Sequence, residues 1–202
     1  MTSPSSNPDR QQPAKKRTCQ RYNLAGHAHA LTFTCFHRQA FLAKDRCCNW
    51  VIDALARAQE KHRFDLWAYC LMPDHAHILL WPTEPAYDIS EILSSIKQSV
   101  AKRALFFVRT EAPGFLKRME DRQPSGRRCY RFWQRGGGYD RNLFEPAAVY
   151  SQIDYMHANP VRRGLCARAE DWPWSSAADY AGVRRGPILL QRESLPVIGE
   201  FG

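Results

Sequence analysis

His75-Ala76-His77 lies in a stretch that is otherwise apolar, with Leu71-Met72 before it and Ile78-Leu79-Leu80 after it. On a β-strand successive side chains alternate between faces, so residues two apart project together. Two imidazoles side by side on a buried strand have one common use, which is to hold a divalent cation through one nitrogen each. The residues alone leave a second reading open, in which one histidine is a hydrogen-bonded core residue and the other is exposed. His27-Ala28-His29 has the same spacing, so the pattern by itself is cheap. A second constellation is Tyr155-Met156-His157-Ala158-Asn159-Pro160. Positions i and i+4 share a helix face, so Tyr155 and Asn159 project together and could face a metal on a sheet. The alternative is a core tyrosine followed by an asparagine that caps the helix end. A zinc site of Cys70, His75 and His77 is a further arrangement, for which no fourth ligand is evident.

The elements that must position these residues follow from periodicity. His29 to Phe36 is dense in β-branched and aromatic residues and predicts a first strand. Lys44 to His62 repeats apolar residues at helical spacing (Trp50, Val51, Ala54, Leu55, Ala58). Phe64–Leu71 and His75–Trp81 are apolar runs separated by Met-Pro-Asp, a turn in which proline supplies the fixed φ. Ile89 to Val108 returns to helical period, 109–128 has none, and Arg131–Arg135 is a short strand candidate ended by Gly136-Gly137-Gly138. Pro146 to Asn159 predicts a helix with proline in its first turn that stops before Pro160. The order predicts an α+β fold: a ferredoxin-like β-α-β-β-α-β antiparallel sheet with helices on one face, a further C-terminal helix carrying Tyr155, and an irregular tail. Residues 1–20 read as a disordered, weakly basic arm, 21–182 as the folded domain and 183–202 as a tail.

The 202 residues carry 29 Lys+Arg against 20 Asp+Glu. Lys97 to Arg141 alone holds twelve basic and four acidic residues, a concentration suited to a phosphate-contacting surface. The expected DNA contacts are Lys97, Lys102, Arg103, Arg127, Arg128, Arg131 and Arg135, with Trp133 as a ring for base stacking. Of Phe132 and Trp133, one is expected to face the core. Arg162 and Arg163 follow the Tyr155 helix closely enough to touch neighbouring phosphates. Seven cysteines fit no paired metal framework, and neither a signal-peptide pattern nor a run of 18 apolar residues is present. These features point to a reducing cytoplasm and away from a membrane.

Four segments in order, Tyr69–Leu80, Phe132–Arg135, Tyr155–Leu165 and Glu170–Ser176, make residues 24–181 resemble the Y1 (IS200-like, HUH) transposase superfamily, best its REP-associated tyrosine transposases. The resemblance implies a single-stranded DNA endonuclease and strand transferase acting on REP-type hairpins, without a nucleotide cofactor. It implies Mg²⁺ or Mn²⁺ on His75 and His77, Tyr155 as nucleophile, and Asn159 where the superfamily commonly has Gln as third ligand. Ala76 is smaller than the usual residue between the histidines. A domesticated DNA-binding protein of the same fold is the alternative. A monomer is favoured over a dimer.

Overall fold

The computed structural model describes residues 21–197, so the expected arm at 1–20 lies outside the described residues. Strands β1 (Ala28–Thr34), β2 (Phe64–Met72) and β3 (His75–Pro82) are built from β-branched, aromatic and aliphatic residues. Helix α1 (Asp45–His62) buries Val51, Ile52, Ala54, Leu55 and Ala58 along one stripe. Helix α2 (Ile89–Glu111) starts where the Asp88 carboxylate accepts from the Ser90 backbone N–H at 2.7 Å. After it come a one-turn helix α3 (Leu116–Met119) and a small hairpin of β4 (Glu120–Arg122) and β5 (Arg128–Tyr130). The chain continues through β6 (Tyr139–Leu143), α4 (Pro146–Arg162) and a short α5 (Ala177–Tyr180). Among the described residues no helix is long and apolar enough to cross a membrane.

The main sheet has the order β2-β3-β1-β6, with every neighbouring pair antiparallel, which is the expected ferredoxin-like arrangement. Leu31, Phe33, Leu71, Ile78 and Leu80 form one core with α1 and α2. Ala28, Ala30, Cys70, Met72 and Leu79 form a second core with Val149, Ile153 and Met156 of α4. The two ferredoxin helices therefore share one face and α4 lies on the other. His75 and His77 keep step with Leu79 along β3, so alternation turns both toward the α4 face.

Three elements differ from the sequence expectation. The fourth strand of the sheet is Tyr139–Leu143, not Arg131–Arg135. Phe132 and Trp133 are both buried, at 3% and 5% exposure, and two consecutive inward side chains break the alternation a strand requires. Their segment meets the end of β1 through irregular bonds, Phe36 N–H to Phe132 O and Gln134 N–H to Thr34 O, both 2.8 Å. The polar β6 is recruited by backbone pairing with β1, a tertiary effect that outweighs weak strand propensity. Its entry needs Gly138, at φ +76°, because a Cβ there would come within 2.2 Å of the Thr32 carbonyl oxygen. Helix α4 runs through Pro160 to Arg162. Proline removes one helical donor but has a helical φ, and the last turn closes as a Schellman motif, with Leu165 N–H to Pro160 O and Gly164 N–H to Val161 O, both 2.9 Å, and Gly164 at φ +65°. The aperiodic 109–128 stretch contains α3 and the β4 strand.

The segment after α4 covers the outer edge of β2. Leu71 N–H donates to Trp174 O (2.8 Å), Ser176 N–H to Tyr69 O (3.0 Å) and Gln191 N–H to Leu66 O (3.1 Å), which satisfies groups that an open edge would expose.

Candidate active site

The turn at Pro73-Asp74 delivers His75 at the start of β3. The Asp74 carboxylate, which only accepts, receives a hydrogen bond from His75 Nδ1–H at 2.8 Å, a tautomer that puts the ring's lone pair on Nε2. His77 Nδ1 is 2.8 Å from Thr32 Oγ1, its cross-strand partner on β1. The two Nε2 atoms stand 3.0 Å apart. Two cis ligands at about 2.1 Å from an octahedral cation are separated by about 3 Å, so this pair matches the bite of one hard divalent ion. Both outer nitrogens are held by oxygen partners, as ligating histidines usually are. Burial, and then the neighbouring His75, push His77 down to about 4, which keeps it a neutral ligand at neutral pH.

Asp74 is itself buried and also receives Arg163 Nη1 at 3.2 Å, with Arg38 Nε at 3.6 Å. Burial alone would raise its pKa, but the hydrogen bond from His75 and the two guanidinium groups hold the carboxyl below its ordinary value. This one carboxylate ties the His75 ring to Arg163, the residue that caps the end of α4.

Tyr155 projects from α4 beside this pair. Its ring lies 6.0 Å from the His77 ring, edge to face, and is 48% exposed. The Arg162 guanidinium stands 5.4 Å from the tyrosine ring centroid. A cleft of about 500 Å³ opens here, lined by Thr32, His77, Tyr139, Arg141, Gln152 and Tyr155. Asn159 is buried one turn further on, and its carboxamide nitrogen donates to the Tyr155 carbonyl at 2.9 Å. That bond leaves Oδ1 as the end of the amide suited to a cation. Among the described residues no third His, Cys, Asp or Glu joins the histidines. Cys70 is the register partner of His77, but burial pushes its thiol up to about 12, which disfavours the thiolate a zinc site needs.

Helix α4 is pinned in front of the pair by His157. Its Nε2 donates to Ser176 Oγ at 2.8 Å, and that hydroxyl also bonds both backbone groups of Tyr69. Burial lowers His157 to about 4, whereas in the unfolded chain it titrates near 6.5. The unfolded state thus takes up a proton the folded state refuses, and stability falls as pH drops from about 6.5 toward 4. The expected result is a melting temperature that decreases across this interval, with a shallower decrease in His157→Gln. An equally steep decrease in the variant would remove His157 from the explanation.

The expected DNA contacts are dispersed. Lys102 and Arg127 are exposed, and Arg103 pairs with Asp53 at 2.6 Å while lying over Trp50. Arg128 is exposed beside Glu120 at 3.9 Å, and Arg131 and Arg135 both engage Asp121. Lys97 folds under the glycine loop, its Nζ donating to Gly136 O at 2.6 Å, and burial together with Arg21 lowers it to about 8. Trp133 packs against Phe33 and donates its indole N–H to Lys97 O at 3.1 Å, so its ring is core rather than an exposed stacking surface. Sequence reasoning does not single out Thr32, Arg38, Asp74, Arg141 or Gln152. Thr32 is recognisable only once β1 is paired with β3, and Gln152 only by its position one turn before Tyr155, whereas Asp74 adjoins His75 in the chain.

The sequence profile of IS200-like transposases matches residues 23–120. A Haemophilus influenzae protein whose name places it among the REP-associated tyrosine transposases is 27% identical over 117 residues, which is 58% of this chain and 61% of that protein. The chain thus spans less than two thirds of that curated relative. The structure of a REP-associated tyrosine transposase bound to a REP hairpin superposes with a TM-score of 0.60 at 20% identity, over 89% of this chain and 98% of the other. That likeness carries the fold. Profile, relative and fold agree in likening this chain to the IS200-like transposases, the profile over residues 23–120.

Proposed function

We propose that this protein is a metal-dependent single-stranded DNA endonuclease and strand transferase that cuts through a covalent 5′-phosphotyrosine on Tyr155, with REP-type hairpins as substrate. One observation carries the reading: the Tyr155 ring meets the His77 ring at a cleft mouth where two Nε2 atoms converge to 3.0 Å. His75 and His77, with Asn159 Oδ1, would hold Mg²⁺ or Mn²⁺, which as a Lewis acid polarises a phosphate oxygen. The phenol oxygen attacks phosphorus, the P–O3′ bond breaks, and the departing 3′-oxygen ends protonated as a free hydroxyl. Rejoining reverses the step: a 3′-hydroxyl attacks the phosphotyrosine and the phenol is restored. The phosphodiester energy is kept in the covalent link, so no nucleotide cofactor is required.

Arg141 in the cleft, Arg162 over the Tyr155 ring, and Arg38 and Arg163 at Asp74 would neutralise the flanking phosphates, and Lys102, Arg127 and Arg128 would extend the basic surface. Placing Tyr155 and the histidines in one chain suits action as a monomer. The test is a labelled hairpin oligonucleotide incubated with Mn²⁺. A denaturation-resistant adduct, mapped by mass spectrometry to Tyr155, is expected; tight hairpin binding with no adduct would instead favour a domesticated DNA-binding protein.

Asp74 is a positioning residue in this scheme. Asp74→Asn removes the charge-assisted acceptor of His75 Nδ1–H and loosens Arg163. Loss of such an outer partner costs about 10- to 100-fold in metal affinity. Mn²⁺ titration by electron paramagnetic resonance is expected to show a weakening of that size, and unchanged affinity would dismiss the role.

A further inference from the structure

On the far side of the sheet from Tyr155, α1, α2 and α3 leave a pocket of about 250 Å³ whose walls include the rings of Trp50, Phe107 and Phe115. The Trp50 and Phe107 rings meet across α1 and α2 at 5.8 Å between centroids, yet their outer parts stay uncovered. α1 and α2 meet through Val51, Leu55, Leu93 and Ile96, whereas Trp50, Phe107 and Phe115 remain half-buried around the opening. Its rim is cationic. Lys44, Arg46 and Arg118 line it, and no carboxylate does. Two of these guanidinium groups lie over rings, Arg46 at 4.3 Å from the Phe107 centroid and Arg118 at 4.8 Å from that of Phe115. A second groove shares Trp50 and Phe107 and adds Lys102 and Arg103. Phe106, 71% exposed, also lines it.

We propose that this pocket receives an unpaired nucleobase of a DNA strand that also reaches the cleft. The proposal rests on the single-strand DNA reading above but concerns a separate site. Aromatic walls with a ring of cations suit a base stacked inside and its phosphates outside. An apolar partner helix would leave the three cations desolvated without counter-charge. A route between the two sites is built into the chain. Residues 38–44 run from Arg38, beside Asp74, to Lys44 on the rim, and Leu42 N–H bonds Pro73 O at 2.9 Å in the catalytic turn. On this route Arg118 Nε donates to Gln39 Oε1 at 2.9 Å. Arg163, Arg38, Arg118 and Arg46 thus mark a succession of cations from catalytic turn to pocket.

The test compares two probes on the full chain: a bare hairpin, and the same hairpin with a single-stranded extension of about ten nucleotides carrying 2-aminopurine at successive positions. Wild type is expected to quench 2-aminopurine at one position of the extension and to bind the extended probe more tightly. The doubly charge-reversed Arg46→Glu/Arg118→Glu, both exposed, is expected to lose roughly tenfold in affinity for the extended probe and nothing for the bare hairpin. Trp50→Leu, with its melting temperature checked, is expected to abolish the quenching. Equal affinity losses for both probes, or none, would overturn the inference. A missing Tyr155 adduct alongside intact extension-dependent binding would refute the catalytic reading and leave the pocket standing.

Discussion

Tyr155→Phe is expected to give no covalent adduct with a cognate hairpin and to lower cleavage by at least about a thousandfold, the scale on which removal of a nucleophile acts. The substitution deletes one oxygen from a ring that is 48% exposed, so folding stability should stay within about 0.5 kcal/mol of wild type. In the proposed scheme hairpin binding does not depend on the phenol oxygen and should be nearly unchanged, which separates a chemical defect from a binding defect. The informative control is Tyr139→Phe. Tyr139 lines the same cleft and is 57% exposed, so it is the other phenol within reach of a phosphate there. An adduct lost in Tyr139→Phe and retained in Tyr155→Phe would transfer the nucleophile to β6. Tyr150 is a poorer control because its hydroxyl donates to Pro196 O at 3.2 Å, on the tail side of α4.

His77→Ala is expected to abolish Mn²⁺ binding and to reduce cleavage by two orders of magnitude or more. His77 supplies one of two converging Nε2 atoms, and among the described residues no group of three or more His, Cys, Asp or Glu is placed to hold a metal without it. The effect is readable without turnover. A saturating metal at about one hundred times its dissociation constant stabilises a folded protein by about 2.7 kcal/mol, so Mn²⁺ should raise the melting temperature of wild type and leave His77→Ala unmoved. Because the imidazole is buried, the variant also loses packing and melts lower on its own, and the metal-induced difference is the quantity to compare. The pH dependence has a defined direction. A His77 held down to about 4 by burial and by His75 resists protonation, so its competition with the metal sets in well below the ordinary histidine range near 6.5. Affinity that collapsed already between pH 7 and 6 through His77 would contradict this account of its surroundings.

Much of the site is legible in the chain itself because its information is local. Strand alternation alone puts His75 and His77 on one face, and helical spacing alone puts Tyr155 near Asn159. Where the folded molecule departs from that pattern, the reasons are equally physical. Phe132 and Trp133 look like strand residues, yet both turn inward against Phe33 and Phe41, and the sheet takes its last strand from the polar Tyr139–Leu143. Edge strands draw their stability from pairing, which leaves little trace in composition. The basic residues add up as charge, but Arg103, Arg131, Arg135 and Lys97 are partly occupied by Asp53, Asp121 and Gly136 O. A tally of charge cannot distinguish a guanidinium facing solvent from one already paired.

The sequence by itself therefore determined which residue types stand at which spacing: a histidine pair on a strand, a tyrosine and an asparagine on a helix, and a surplus of cations. Only the tertiary structure decided that α4 lies across the histidine face of the sheet, that Thr32 meets the outer nitrogen of His77, that Asp74 is joined to Arg163, and that Trp133 belongs to the core. The reason is the range of the interactions. Periodicity is written within a turn or two of chain, whereas these contacts join residues 45 to 100 positions apart (Thr32 with His77, Asp74 with Arg163, Phe33 with Trp133), and no short window of sequence contains both partners.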